Sequence, residues 1–99
     1  MRPKPNNDDY IWAKSVNAAK WVILMNEEKV RRLGFDAIEL IDVDHDAGDY
    51  FQYGGDYIRL LDWLEETGRN YPIRIHSQNP VGVQNMRAII ERNGWTEVF

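Results

Sequence analysis

Apolar residues fall in short blocks along this chain, and their spacing changes from block to block. After a polar, Pro-bearing stretch from Met1 to Asp9 that reads as loop, Tyr10-Ile11-Trp12-Ala13 predicts a short edge strand. Ser15 offers a helix N-cap. Ala19, Val22, Ile23, Val30 and Leu33 then recur at helical spacing, and Gly34 supplies the stop. Ala37 to Val43 is short and rich in Ile, Leu and Val, which predicts a strand buried on both faces, as in a parallel sheet. It runs into a polar burst, Asp44-His45-Asp46-Ala47-Gly48-Asp49, and a Tyr- and Gly-bearing loop to Gly55. Tyr57, Leu60, Leu61 and Leu64 mark a second amphipathic helix ended by Gly68. Pro72 precedes a short strand, Ile73-Arg74-Ile75, that ends at His76-Ser77. Asn79 at the N-cap and Pro80 at N1 open a third helix. Val83, Met86, Ile89 and Ile90 form its core face, and Asn93-Gly94 closes it. Trp95 to Phe99 reads as a last strand.

Strands alternating with helices predict an α/β fold with a mostly parallel sheet flanked by three helices and joined by right-handed crossovers. In such folds ligands bind outside the carboxyl ends of the strands. Both histidines of the chain, His45 and His76, sit at two such ends.

Ninety-nine residues make a single domain, 1–99, with 1–9 as a tail, and 43% hydrophobic content excludes a disordered segment. Twelve basic against sixteen acidic residues leave a net charge of −4, which excludes general DNA binding but not a local cation that holds one phosphate. The chain has no Cys, so a disulfide scaffold, a Cys-ligated zinc and a thiol nucleophile are excluded. No apolar run approaches membrane-spanning length, and no signal-peptide pattern opens the chain, so a cytoplasmic protein is expected.

A carboxylate beside a histidine fixes its tautomer and raises its pKa, which gives Asp44 and Asp46 a role around His45. At the second strand end, Ser77 and Asn79 read as caps. Asn79 starts a helix whose N-terminus points at the same edge as His76, where free N–H groups of Val81 and Gly82 would receive an anion. Gly is a poor early-helix choice, so Gly82 suggests close approach to the backbone. Two imidazoles beside a helix N-terminus suit phosphate chemistry: one takes a proton from water, the other gives one to the leaving oxygen. A cyclic phosphodiester needs that pair and no metal or other cofactor, with developing charge met by backbone N–H groups or by Arg2.

Two readings compete with this one. A non-catalytic module that binds a phosphorylated ligand or a protein partner needs only the helix N-terminus and the exposed aromatic loop. A metal-dependent hydrolase could use His45, His76, Asp44 and Asp46 as ligands, though their spacing matches no metal signature. An EF-hand match at Asp42-Val43-Asp44-His45-Asp46 fails, since position six is Ala47 and position twelve is Tyr53. Tyr50, Phe51, Tyr53 and Tyr57 could stack a base, but read more simply as a loop packing on its own domain. Trp12, Trp21, Trp63 and Trp95 read as core or core-edge, and Lys29, Arg31 and Arg32 as a solvated helix C-terminus.

Ile73-Arg74-Ile75-His76-Ser77-Gln78-Asn79-Pro80-Val81-Gly82, followed by Met86, resembles the His-Ser-x-Asn-Pro-x-Gly signature of cyclic-phosphate-processing receiver domains, relatives of response-regulator receivers. Asp44-His45-Asp46-Ala47-Gly48 resembles that family's Asp-His-Asp-x-Gly turn. Gly55, Asp56, the Leu60-Leu61-Asp62-Trp63-Leu64 helix and Arg2-Pro3 fit its pattern too. The resemblance implies a receiver-like (flavodoxin-like) sandwich that processes cyclic phosphates on nucleotides or RNA ends. His45 and His76 would then be the acid/base pair, Asp44 and Asp46 would orient them, and Ser77, Asn79 and Gly82 would shape the phosphate pocket. Family members usually carry a first strand ending in Asp-Asp before the Arg-Pro; here Met1 stands directly before Arg2. The expectation is therefore a receiver with its first strand missing. Three explanations offer themselves: a longer natural chain, a homodimer or swapped strand that fills the gap, or inward movement of Tyr10 to Ala13.

Overall fold

The computed structural model describes residues 11, 13–44 and 55–99. Its elements run α1 (Val16–Leu33), β1 (Ile41–Val43), α2 (Ile58–Glu66), β2 (Ile73–Ile75) and α3 (Pro80–Asn93). The three helix positions agree with the periodicity, and at α1 and α3 local chemistry fixes the ends. Ser15 is extended and its Oγ accepts the Ala18 N–H at 3.0 Å, while Gly34 closes α1 in the left-handed region at φ 70°. Gly94 ends α3 in the same way.

Of α1, only Val16, Ala19 and Ile23 are buried. Their 3- and 4-residue spacing puts them on one face. Leu33, expected in that stripe, is 66% exposed. The reason is length: eighteen residues in α1 against nine in α2 give about 27 Å against about 14 Å, so the last turns of α1 overrun the helix it packs on. Trp21, expected at the core or its edge, is exposed as well, because two residues beyond Ala19 at 100° each carry it to the far side. Trp95 is buried and Trp63 packs against the core. Trp12 lies outside the described residues.

β1 and β2 pair in parallel with Ile41 opposite Ile73, Asp42 opposite Arg74 and Val43 opposite Ile75. β1 is shorter than the predicted Ala37–Val43 because its partner offers only three residues before turning at Ser77. The odd-numbered residues face the core. The second face of β1, expected to be apolar, instead sets Asp42, its side chain 11% exposed, 3.7 Å from Arg74. The predicted last strand is reduced to one parallel rung on the far side of β2. There Ile73 N–H donates to Thr96 C=O at 2.9 Å, and Val98 N–H to Ile73 C=O at 2.7 Å. Ile11 and Ala13, from the predicted edge strand, lie in irregular backbone; Tyr10 is outside the described residues, as is the 1–9 tail.

The order β1, β2, 96–98 advances across the sheet in one direction. Right-handed crossovers then put α2 and α3 on the same face, where they pack on each other, with α1 against α2. Leu60, Leu61, Leu64, Ile73, Met86 and Ile90 form the fully buried centre between them. Three arginine–glutamate pairs join the elements around this core. Arg69 grips Glu27 through two hydrogen bonds of 2.8 and 2.9 Å and lies over the Trp63 ring, while the Tyr71 hydroxyl donates to Glu27. Arg92 holds Glu65 at 2.8 Å, and Arg87 holds Glu97.

Candidate functional site

The site begins with one hydrogen bond at the end of the sheet. His76 N–H donates to Val43 C=O at 2.7 Å, which carries the β1–β2 ladder one step past the last paired residues. Asp44 and His76 thus leave neighbouring strands at the same carboxyl edge. His76 is exposed and Asp44 half-buried.

The turn after His76 brings a helix to this edge. Ser77 Oγ accepts the Asn79 N–H at 3.1 Å, folding the chain back on itself. Asn79 is extended and Pro80 starts α3 at once. Asn79 Oδ1 accepts the Gly82 N–H at 3.1 Å, and Asn79 C=O accepts the Val83 N–H at 2.9 Å. The expectation of a free Gly82 N–H is thereby corrected: Asn79 caps that donor, and Gly82 is buried. A cap side chain satisfies an N2 or N3 donor first, and Gly82 stands at N3. Val81 N–H makes no hydrogen bond to another described residue, and its side chain is exposed. It therefore presents a donor at the positive end of the α3 dipole.

Tyr57 stands just before α2. It is 5% exposed, and its hydroxyl donates to Ala13 C=O at 3.1 Å. Burial pushes its phenol above the ordinary tyrosine range, and the negative charge of Asp44 adds to that shift. Tyr57 thus packs on its own domain, the simpler of the two readings of the aromatic group, and its enclosed ring is not open to stack a base. The helix periodicity, which placed Tyr57 with Leu60 and Leu61, gave the right location. The link to Ala13, 44 residues away, has no signal in local spacing.

His45, Asp46 and Arg2 lie outside the described residues, as do Tyr50, Phe51 and Tyr53. The structure therefore brings together Asp44, His76, Ser77, Asn79, Val81 and Gly82 at one edge. Among the described residues no three His, Cys, Asp or Glu side chains converge to hold a metal ion; two of the four proposed ligands, His45 and Asp46, are not among them. No helix of the described residues is long and apolar enough to cross a membrane.

The family model for the cyclic-phosphate processing receiver domain matches residues 1–92. No curated protein and no solved structure gave a match.

Proposed function

We propose, since the chain belongs to the family of cyclic-phosphate processing receiver domains, that it is a phosphoesterase opening a cyclic phosphodiester on a nucleotide or an RNA end. The observation that carries this reading is the extra rung from His76 N–H to Val43 C=O beside the N-terminus of α3. It supports the reading because it holds His76 beside the strand end after which His45 follows in the sequence, and close in the chain to the N-terminus of α3.

In the reaction, one imidazole takes a proton from water as the water oxygen bonds to phosphorus. The other protonates the ring oxygen as its bond to phosphorus breaks, leaving a phosphomonoester and a free hydroxyl. Asp44 and Asp46 orient the imidazoles. The Val81 N–H and the α3 dipole offset charge building on the phosphoryl oxygens, with Arg2 as a side-chain cation. Ser77 and Asn79 act on the backbone: they shape the turn that aims α3 at the phosphate, and Gly82 gives its N–H to that cap.

The test is hydrolysis of a panel of cyclic nucleotides and cyclic-phosphate-ended RNAs, with and without chelator. General acid–base groups contribute about 10²–10⁴-fold each, so His45→Ala and His76→Ala should each lower turnover by that order while chelator has no effect. Turnover abolished by chelator would point to the metal-dependent alternative. Phosphate-ligand binding that survives both substitutions, without turnover, would point to a non-catalytic binding module.

A further inference from the structure

Asn93-Gly94 is the single Asn-Gly pair in the chain, and it stands where α3 ends. Asparagine before glycine is the dipeptide most prone to close on itself, because glycine has no side chain to hinder its own backbone nitrogen. That nitrogen attacks the asparagine amide carbon and a five-membered succinimide forms. The closed ring needs a ψ far from the helical value.

The fold holds each group that this reaction must move. Asn93 is the last residue of α3, so its backbone is helical. Its amide nitrogen donates to Glu65 Oε2 and, at 2.8 Å, to Ile89 C=O, which engages both of its N–H bonds. Gly94 N–H is turned back onto the carbonyls of Ile90 and Glu91, with Gly94 in the left-handed region at φ 68°. Glu65 is in turn held by Arg92 through two hydrogen bonds of 2.8 Å. One carboxylate on α2 thus clasps both side chains that end α3.

We propose that Asn93-Gly94 is a spontaneous modification site latched by Glu65, which deamidates when the clasp between α2 and α3 opens. In the open state Gly94 N loses its proton to hydroxide and bonds to Asn93 Cγ, while the Cγ–Nδ2 bond breaks and ammonia leaves. Water then adds to one of the two ring carbonyls and opens the ring, giving aspartate or isoaspartate. Either product carries a carboxylate where an amide had donated. That charge faces Glu65 and lies at the negative end of the α3 dipole. Isoaspartate also lengthens the backbone by one carbon at the Gly94 cap. The product cannot re-form the clasp, so conversion leaves α3 more weakly tied to α2.

The test incubates the whole chain at mildly alkaline pH, folded and in urea, and follows the peptide bearing Asn93 by mass spectrometry. The folded chain should convert about tenfold more slowly than the unfolded one, or slower still, since reaction waits on local opening. Glu65→Ala should speed conversion in the folded chain several-fold. Glu65→Gln, which keeps the side chain's shape and one acceptor oxygen, should do so to a smaller degree, and circular dichroism would show the fold kept. Glu27→Ala cuts the comparable tie of α1 to Arg69 and Tyr71 and should leave the rate unchanged. Asn93→Asp, which mimics the product, should lower the urea midpoint more than Asn93→Ala, because it adds a repelling charge to the lost hydrogen bonds. Equal rates in the folded and unfolded chain overturn the proposal, as does a rate indifferent to both Glu65 substitutions. Equal acceleration by Glu65→Ala and Glu27→Ala also overturns it, since conversion would then follow global unfolding.

Discussion

Tyr57 is where a single residue links the candidate site to the stability of the fold. Its ring is buried in the core and feels the charge of Asp44, and its hydroxyl ties the chain at Ala13 to the start of α2. Removing the hydroxyl alone, with Tyr57→Phe, deletes one part-buried hydrogen bond and should cost about 1 kcal/mol in urea unfolding. The pH dependence follows from the direction of its shift. The folded phenol ionises above its unfolded value of 10.0, so its contribution is complete below that pH and is lost as pH rises through the folded value. Tyr71 is raised too, chiefly by burial. Alkaline titration followed by tyrosinate absorbance should therefore show at least two of the five tyrosines ionising late, and one fewer in Tyr57→Phe. An unchanged late-titrating fraction would mean that Tyr57 is not enclosed as described.

At the scale of the element, Asn79 performs two tasks that substitution can separate. It caps α3 through Gly82 N–H, and it aims that helix at the edge where His76 stands. Asn79→Ala loses the cap and should cost about 1 kcal/mol. Asn79→Asp keeps the cap and suits the helix dipole, but places a negative charge beside the proposed phosphate position. The thermal midpoint should therefore hold in Asn79→Asp while KM for a cyclic phosphate rises several-fold. Equal KM in the two proteins would show that the phosphate does not approach the N-terminus of α3. Helix ends were legible because capping is local: Ser15, Gly34, Asn79, Pro80 and Gly94 act on backbone within a turn of themselves. The strands were less so. Ala37–Val43 has the composition of a long strand, but its paired length is set by three residues of β2, over thirty positions away. The alternation Ile41-Asp42-Val43 against Ile73-Arg74-Ile75 did hold the clue that one face would be an ion pair. At the site, strand-end placement located His76, whereas the cap that occupies Gly82 N–H depends on side-chain geometry that spacing does not specify.

At the scale of the whole molecule, arginine–glutamate pairs join the elements around the core. A domain of this size has about 5–15 kcal/mol of stability, and among the described residues its buried centre is one cluster of thirteen side chains. Glu65 draws α3 to α2 through hydrogen bonds from Arg92 and Asn93, which hold its carboxyl down at about 2 against an ordinary 4.5. Glu27 is lowered as well, first by its hydrogen bonds with Arg69 and against some cost of burial. These partners lie 27 to 44 residues apart in sequence, so no local pattern announces them. A carboxylate whose folded pKa is depressed adds stability that is complete above its unfolded value and lost as pH falls through the folded one. For Glu65 that window runs from about 4.5 down to about 2. Urea midpoints should therefore be level near neutrality and fall progressively through this range. Glu65→Gln cannot titrate, so it should start from a lower midpoint at pH 7 and lose less on acidification, with the two curves converging toward pH 2. Exposed ion pairs are worth little singly and are screened by salt, so 1 M NaCl should narrow the gap between the proteins at pH 7. Parallel acid curves would show that the Glu65–Arg92 pair does not hold α2 to α3, and that apolar contacts between Leu61, Leu64, Ile89 and Ile90 suffice without it.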